Sequence, residues 1–331
     1  MTQSILDWRA TVEEAVRRRK QEQLTQRDLA ALAGVSPPTV IAFERGDTRL
    51  RMDKVFDILL ALGMLAETGP VGGQESFVQA ASRRWSELIA PLAVDEPARQ
   101  ASGSVVYDYM LQPDPAQISL RDLLPILKGA GEGETGWPPF WIPTRERIKP
   151  YSQDGVIECW QGIPEPDHAK DPGQTDFWRV SPSGQAYLRR GLDEDALSVL
   201  SPGTVFDVAL PIWRTAEVLL HAARVASLWP EPQRSVEFRL RYSGLAGREL
   251  ASWAKPNRRY LPPGTWRARA ADVTSAATIA VENIHQDLSG TITILLEPVY
   301  ARFNGFVPPE GLIDEELADL SEAGRRRRGR R

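Results

Sequence analysis

The side chains between Gln26 and Arg51 are of the kinds that hold a polyanionic backbone and touch base edges. Gln26 and Arg27 open one predicted helix, where backbone N–H groups and side-chain donors meet phosphate. Arg45, Arg49 and Arg51 follow a second predicted helix and are placed to reach such a backbone from the other side. Between them, Ser36, Pro37, Pro38, Thr39 and Ala42 share the outward face of the second helix, with Ile41 near its edge. Val40 and Phe43 are spaced to face inward. The outward set lacks long donors that read guanine or adenine bidentately. Set against a nucleic-acid duplex, such a face would select by contact with thymine methyl groups and by shape.

Two short helices must position these residues. Thr25 is an N-cap candidate with Asp28 three residues on, a capping-box spacing with Asp in the usual Glu/Gln place. Leu29, Ala30 and Ala33 give a narrow inner face, and Gly34 stops the helix where a positive φ is usually needed. Ser36 caps the next helix, Pro37 suits its first turn and Gly46 closes it. Two caps, two stops and a connection of about three residues describe a helix-turn-helix. Ile5, Trp8, Val12, Ala15 and Val16 repeat at helical spacing before it, and Met52, Val55, Phe56, Leu59 and Leu60 form an apolar stripe after it, with Gly63 as a stop. Four or five small helices can bury these faces together.

This stretch resembles the Cro and phage-repressor (XRE) type of DNA-binding domain. The residues that carry the resemblance are Gln26, Leu29-Ala30, Gly34-Val35-Ser36, Thr39, Val40 and Glu44-Arg45-Gly46, and it covers roughly residues 5–65. It implies a double-stranded DNA partner, with the second helix in the major groove. It also implies a homodimer on a two-fold related site, with half-sites about one helical turn, or roughly 10 bp, apart. Relatives often carry polar or basic side chains where this chain has Pro37, Pro38, Ile41 and Ala42. A helix-turn-helix used only for protein contact stays open.

The 331 residues suffice for two or three domains. Hydrophobic content of 42% with 25% charged residues describes an ordinary soluble protein. With no run of about 18 apolar residues, no membrane span is expected, and the N-terminus has no signal-peptide core. The single cysteine, Cys159, fits a reducing cytoplasm and reads as a small buried strand residue. Residues 1–66 hold 10 basic and 9 acidic side chains, for +1; residues 325–331 hold 6 arginines, for +6. The remaining residues, 67–324, hold 24 basic and 35 acidic side chains, for −11. DNA contact is therefore expected at the two ends of the chain.

The chain is expected to divide into a helix-turn-helix domain at 1–66, a linker and connecting helix at 67–104, a mixed α+β domain at 105–321, and a disordered Arg-rich tail at 322–331. The stretch 67–73 has turn composition, and 77–92 is helical, either connecting, dimerising or packed on its own domain. The stretch 95–104 reads as a loop. Helices are expected over 120–128, capped by Ser119, and over 215–228, 292–303 and 311–320. Strands are expected over 156–160, 177–180, 185–190, 205–210, 236–242, 249–253 and 266–273, with 249–253 pairing on 236–242. Residues 129–136 read as a flexible glycine–glutamate stretch.

In the second domain His168, His221 and His285 have no metal-ligand spacing, and His221 reads as structural. Glu165, Asp167, His168, Lys170 and Asp171 cluster in a loop and could serve a metal-dependent nuclease. They lack the strand context that would position them, so no catalytic set, metal or cofactor is expected. Eight tryptophans lie from Trp137 to Trp266, and Trp141, Trp160, Trp178 and Arg179 are the candidate pocket for a small-molecule effector, with Glu158 and Asp207 adding polarity. Ordinary core is the default for such residues. Segments 136–141, 156–160 and 176–179 weakly resemble uncharacterised bacterial domains, which implies no function. The resulting expectation is a cytoplasmic transcriptional regulator, with repression as a working assumption. The alternatives are an enzyme or defence effector with an accessory helix-turn-helix, and an antitoxin-like regulator that binds another protein.

Overall fold

The computed structural model describes residues 8–22, 24–62, 64, 73–94, 96–100, 102–131, 138–162, 175–196, 200–256 and 261–328. The loop cluster 165–171, Trp137 and most of the linker at 67–72 lie outside the described residues.

Four helices form the N-terminal unit: α1 (Trp8–Gln21), α2 (Gln26–Leu32), α3 (Pro37–Glu44) and α4 (Met52–Ala61). Their core is Val12, Ala15, Leu29, Ala30, Ala33, Val40, Phe43, Val55, Ile58, Leu59 and Leu62. The α4 stripe is rotated from the expected one. Met52 is 54% and Phe56 45% exposed, whereas Ile58 and Leu62 are buried. Both stripes satisfy helical spacing, and packing against α2 and α3 selects the second.

The rest is a sheet with helices on both faces. After α5 (Gln74–Ile89) and α6 (Pro97–Gln100) come β1 (Ser104–Gln112), α7 (Leu120–Ala130), β2 (Tyr151–Gln153), β3 (Val156–Trp160), β4 (Phe177–Val180), β5 (Gln185–Gly191) and β6 (Val205–Asp207). Then follow α8 (Leu210–Leu228), β7 (Ser235–Ser243), β8 (Glu249–Ala251), β9 (Val273–Ala280), α9 (Val281–Gln286), α10 (Leu288–Tyr300) and α11 (Leu312–Arg328). The main sheet runs β2-β3-β4-β5-β1-β7-β9, with antiparallel neighbours throughout. Helices α7, α8 and α10 bury one face, through Leu123, Leu127, Leu219, Leu295 and Leu296. Helix α5 covers part of the other, setting Phe77, Ala81 and Trp85 on Val106, Trp160, Phe177 and Tyr187. Packing on its own domain is thus the role of α5.

Several elements depart from the sequence reading. The central strand β1 was not anticipated; both its faces are covered and most of its residues buried, so it shows no polar alternation. The strand expected over 205–210 stops at Asp207, because the Asp207 carboxylate accepts the N–H groups of Ala209 at 2.7 Å and Leu210 at 2.9 Å and so starts α8. The segment at Glu249 does not pair on β7. It forms a parallel pair with β6 instead. The strand expected over 266–273 lies further on, at β9, whose Ala- and Thr-rich sequence gives little hydrophobic signal. Residues 97–100 are helical within the expected loop, and 129–130 continue α7. Helix α11 runs to Arg328, so a boundary at 322 falls inside a helix, in keeping with the good helix propensity of arginine. Residues 329–331 lie outside the described residues.

His221 sits in the core, 1% exposed, stacked on Phe140 at 4.4 Å with Nδ1 3.3 Å from the Tyr109 hydroxyl. Burial lowers its pKa from 6.5 to about 3. The unfolded chain takes up this proton below about 6.5 and the folded chain does not until about 3. Its contribution to stability is therefore complete above pH 6.5 and is lost as pH falls toward 3. We predict that His221→Phe flattens the fall in melting temperature across this window. Parallel pH profiles for the two proteins would contradict it.

Candidate nucleic-acid interface

Local chemistry starts both helices of the motif. Thr25 Oγ1 accepts the Asp28 N–H at 3.1 Å, and the Asp28 carboxylate accepts the Thr25 N–H at 2.9 Å. The two hydrogen bonds from Thr25 lower the Asp28 pKa. Ser36 Oγ accepts the Thr39 N–H at 3.4 Å and lies 2.8 Å from the Thr39 hydroxyl. Gly34, between the helices, has φ +62°, and a Cβ there would fall 2.5 Å from the Ser152 carbonyl oxygen of β2. Both the turn and the close approach of the second domain require glycine at this position.

Burial fixes which face of α3 looks outward. Val40 and Phe43 are 0% exposed, and Trp8 meets Phe43 edge-on at 5.5 Å while donating its Nε1 hydrogen to the Gly46 carbonyl at 3.0 Å. Ser36, Pro37 and Pro38 are exposed, Thr39, Ile41 and Ala42 half-buried, and Arg27, Arg45, Arg49 and Arg51 exposed. The exposed side chains of α3 are thus short, and exposed arginines precede and follow it along the chain.

Two of the expected contact residues are engaged within the protein. Gln26 donates to Glu44 at 2.8 Å, and Arg19 pairs with the same carboxylate at 3.0 Å, tying α1, α2 and α3 together. Burial alone would raise the Glu44 pKa, but the hydrogen bonds from Arg19 and Gln26 outweigh it and hold the group below its ordinary value. Arg49 pairs with Asp47 at 3.0 Å, an exposed contact that a phosphate can replace at little cost. The Arg19–Glu44 pair escaped the sequence reading because Arg19 sits in a run of basic residues that marks a solvated face equally well.

The candidate effector residues do not line one cavity. Trp178 faces the α7–α8 side and donates to the Trp141 carbonyl at 2.9 Å. Trp160 lies on the opposite face, against Trp85 at 5.1 Å. Arg179 pairs with Glu158 at 3.0 Å, and Glu158 in turn with Arg84 of α5 at 2.9 Å. The Asp207 carboxylate is occupied by the backbone N–H groups already described and by those of Trp253 and Ala254, each at 2.7 Å. Alternation along β3 and β4 separates these side chains, and sequence proximity concealed that separation. Among the described residues no cluster of His, Cys, Asp and Glu could hold a metal ion, and no helix is long and apolar enough to cross a membrane.

The N-terminal unit is thus a helix-turn-helix domain of the kind that presents its second helix to DNA. Residues 17–66 match the family model described as Helix-turn-helix, which places this unit with the XRE-type domains of DNA-binding regulators. No curated protein and no solved structure matches the chain.

Glu44→Gln should loosen the domain by about 1–3 kcal/mol, the cost of leaving a partly buried partner unsatisfied. The lowered pKa adds a pH dependence: stability from Glu44 is present above the ordinary carboxylate range and is lost as pH falls through the folded value. Hydrogen exchange of the α2 and α3 amides checks both. Unchanged protection would show that the network holds nothing together.

Proposed function

We propose that this chain is a sequence-specific transcriptional regulator that acts in the cytoplasm as a homodimer on two-fold related DNA sites. The observation that carries the reading is the face of α3. Its apolar residues Val40 and Phe43 are fully buried, while Ser36, Pro37, Pro38 and Thr39 stand outward between Arg27 and Arg49. The matching family model supports the DNA-binding part. We read the α+β unit as the oligomerisation module, because two of its candidate pocket residues, Trp178 and Trp160, belong to separate cores on opposite faces of the sheet. Specificity then rests on apolar and shape contacts, since α3 carries no long donor on its outward face.

The test is binding of fluorescent duplexes recovered by selection from random DNA. Thr39→Ala and Pro38→Ala should change the ranking of sites. Arg27→Ala and Arg49→Ala should weaken binding to all sites and reduce the salt slope by about one each. The docking is wrong if all four variants bind every duplex as the parent does. A further expectation concerns Arg325–Arg331. Removing these residues should lower affinity for random DNA more than it changes the ranking of sites. Unchanged affinity for random DNA at low salt would leave them without a nucleic-acid role.

A further inference from the structure

The two edges of the main sheet differ. β2 is short and packs against the helix-turn-helix unit, with Ser152 facing Gly34. β9 is 8 residues long, reads VTSAATIA and contains neither a charge nor a proline. Long edges without such features invite pairing with another strand. The hydrogen-bond phase along β9 is fixed, because the Val281 N–H bonds the Arg234 carbonyl at 2.8 Å in continuation of the β7–β9 register. Pairing alternates along an antiparallel ladder. Val273, Ser275, Ala277 and Ile279 therefore exchange bonds with β7, and Thr274, Ala276 and Thr278 turn their N–H and C=O groups away. These three residues are exposed, and among the described residues no backbone group bonds to them.

We propose that β9 pairs antiparallel with β9 of a second copy about a dyad at Ala276, joining two sheets into one. The strand is complementary to itself in this register. Thr274 stands opposite Thr278 on the solvent face, Val273 opposite Ile279 on the core face, and Ala276 opposite its own mate. Cross-strand Thr–Thr and β-branched pairs are favourable, and no like charges oppose. Helix α10 packs beside β9 and leaves Ile294 64% exposed.

The arrangement also sets the DNA geometry, and here it rests on the reading in the previous section. Each copy contributes seven strands with β2 outermost, so thirteen strand spacings of about 4.8 Å put the two β2 strands roughly 60 Å apart along the joined sheet. The helix-turn-helix units lie at those far ends. That separation approaches two helical turns, about 68–72 Å, and is well beyond the single turn expected from the family resemblance. The half-sites should therefore lie about 20 bp apart.

Sedimentation of the full chain, followed by binding to duplexes with two half-sites about 10, 15 or 20 bp apart, tests this. The variant Ala276→Pro removes an outward N–H and adds a ring that an open edge tolerates. We expect a wild-type dimer at micromolar concentration, a dimer dissociation constant raised at least 100-fold by Ala276→Pro with the melting temperature kept, and tightest wild-type binding at the 20 bp spacing. Thr278→Lys, an exposed change, should act likewise and serves where Ala276→Pro unfolds the chain. A monomeric wild type, a dimer unaffected by both variants, or a preference for one turn would overturn the proposal. If the variants break the dimer but the wild type selects no DNA sequence, the DNA-binding reading fails and the β9 pairing stands.

Discussion

The orientation of α3 depends on two side chains. Val40 and Phe43 are fully buried among Leu29, Ala30, Ala33, Val55 and Leu59, and burying a side chain of that size is worth about 1.5–3 kcal/mol. A helix of 8 residues has little stability of its own, so this burial decides which residues it shows to the outside. The Ser36 cap and the positive φ of Gly34 set where the helix begins, and the Arg19–Glu44–Gln26 network locks its far end to α1 and α2. The outward face is then a geometric consequence.

The larger unit works by a related constraint. A seven-stranded sheet must cover both faces and dispose of both edges. Helices α7, α8 and α10 cover one face and α5 part of the other, consuming most of the tryptophans that suggested a pocket. A groove of about 550 Å³ remains where the start of α5 meets β1, β7 and β9, lined by Gln74, Asp108, Arg239 and Ala276 among others. Arg239 there pairs with Asp108 at 3.0 Å and Glu75 at 2.9 Å, fastening α5 to the sheet. At the β2 edge, the helix-turn-helix unit itself supplies the cover.

The N-terminal unit was legible because its signals are local. Thr25 with Asp28, Ser36 with Pro37, and Gly34 and Gly46 each encode one cap or stop within a few residues. The buried stripe of α4 was not, because two apolar faces competed and only tertiary packing separates them. In the second unit, the strands expected over 177–180, 185–190 and 236–242 were readable from local pattern and appear as β4, β5 and β7. The fully covered β1, the small-residue β9 and the pairing of β8 with β6 depend on partners far away in sequence. The residues proposed to face DNA follow from the helix-turn-helix pattern, whereas the role of Asp207 in starting α8 requires the fold to be seen.

The proposed mode of DNA binding requires α3 to enter the major groove. Cys159 is fully buried, so an added cysteine at the exposed position 38 can be labelled selectively with a DNA-cleaving iron chelate. The full chain carrying Pro38→Cys, bound to a selected duplex, should cut at discrete positions across the major groove of each half-site. A chelate placed by Glu237→Cys on the sheet should not. Diffuse cutting from position 38, or cutting only from position 237, would contradict the central claim.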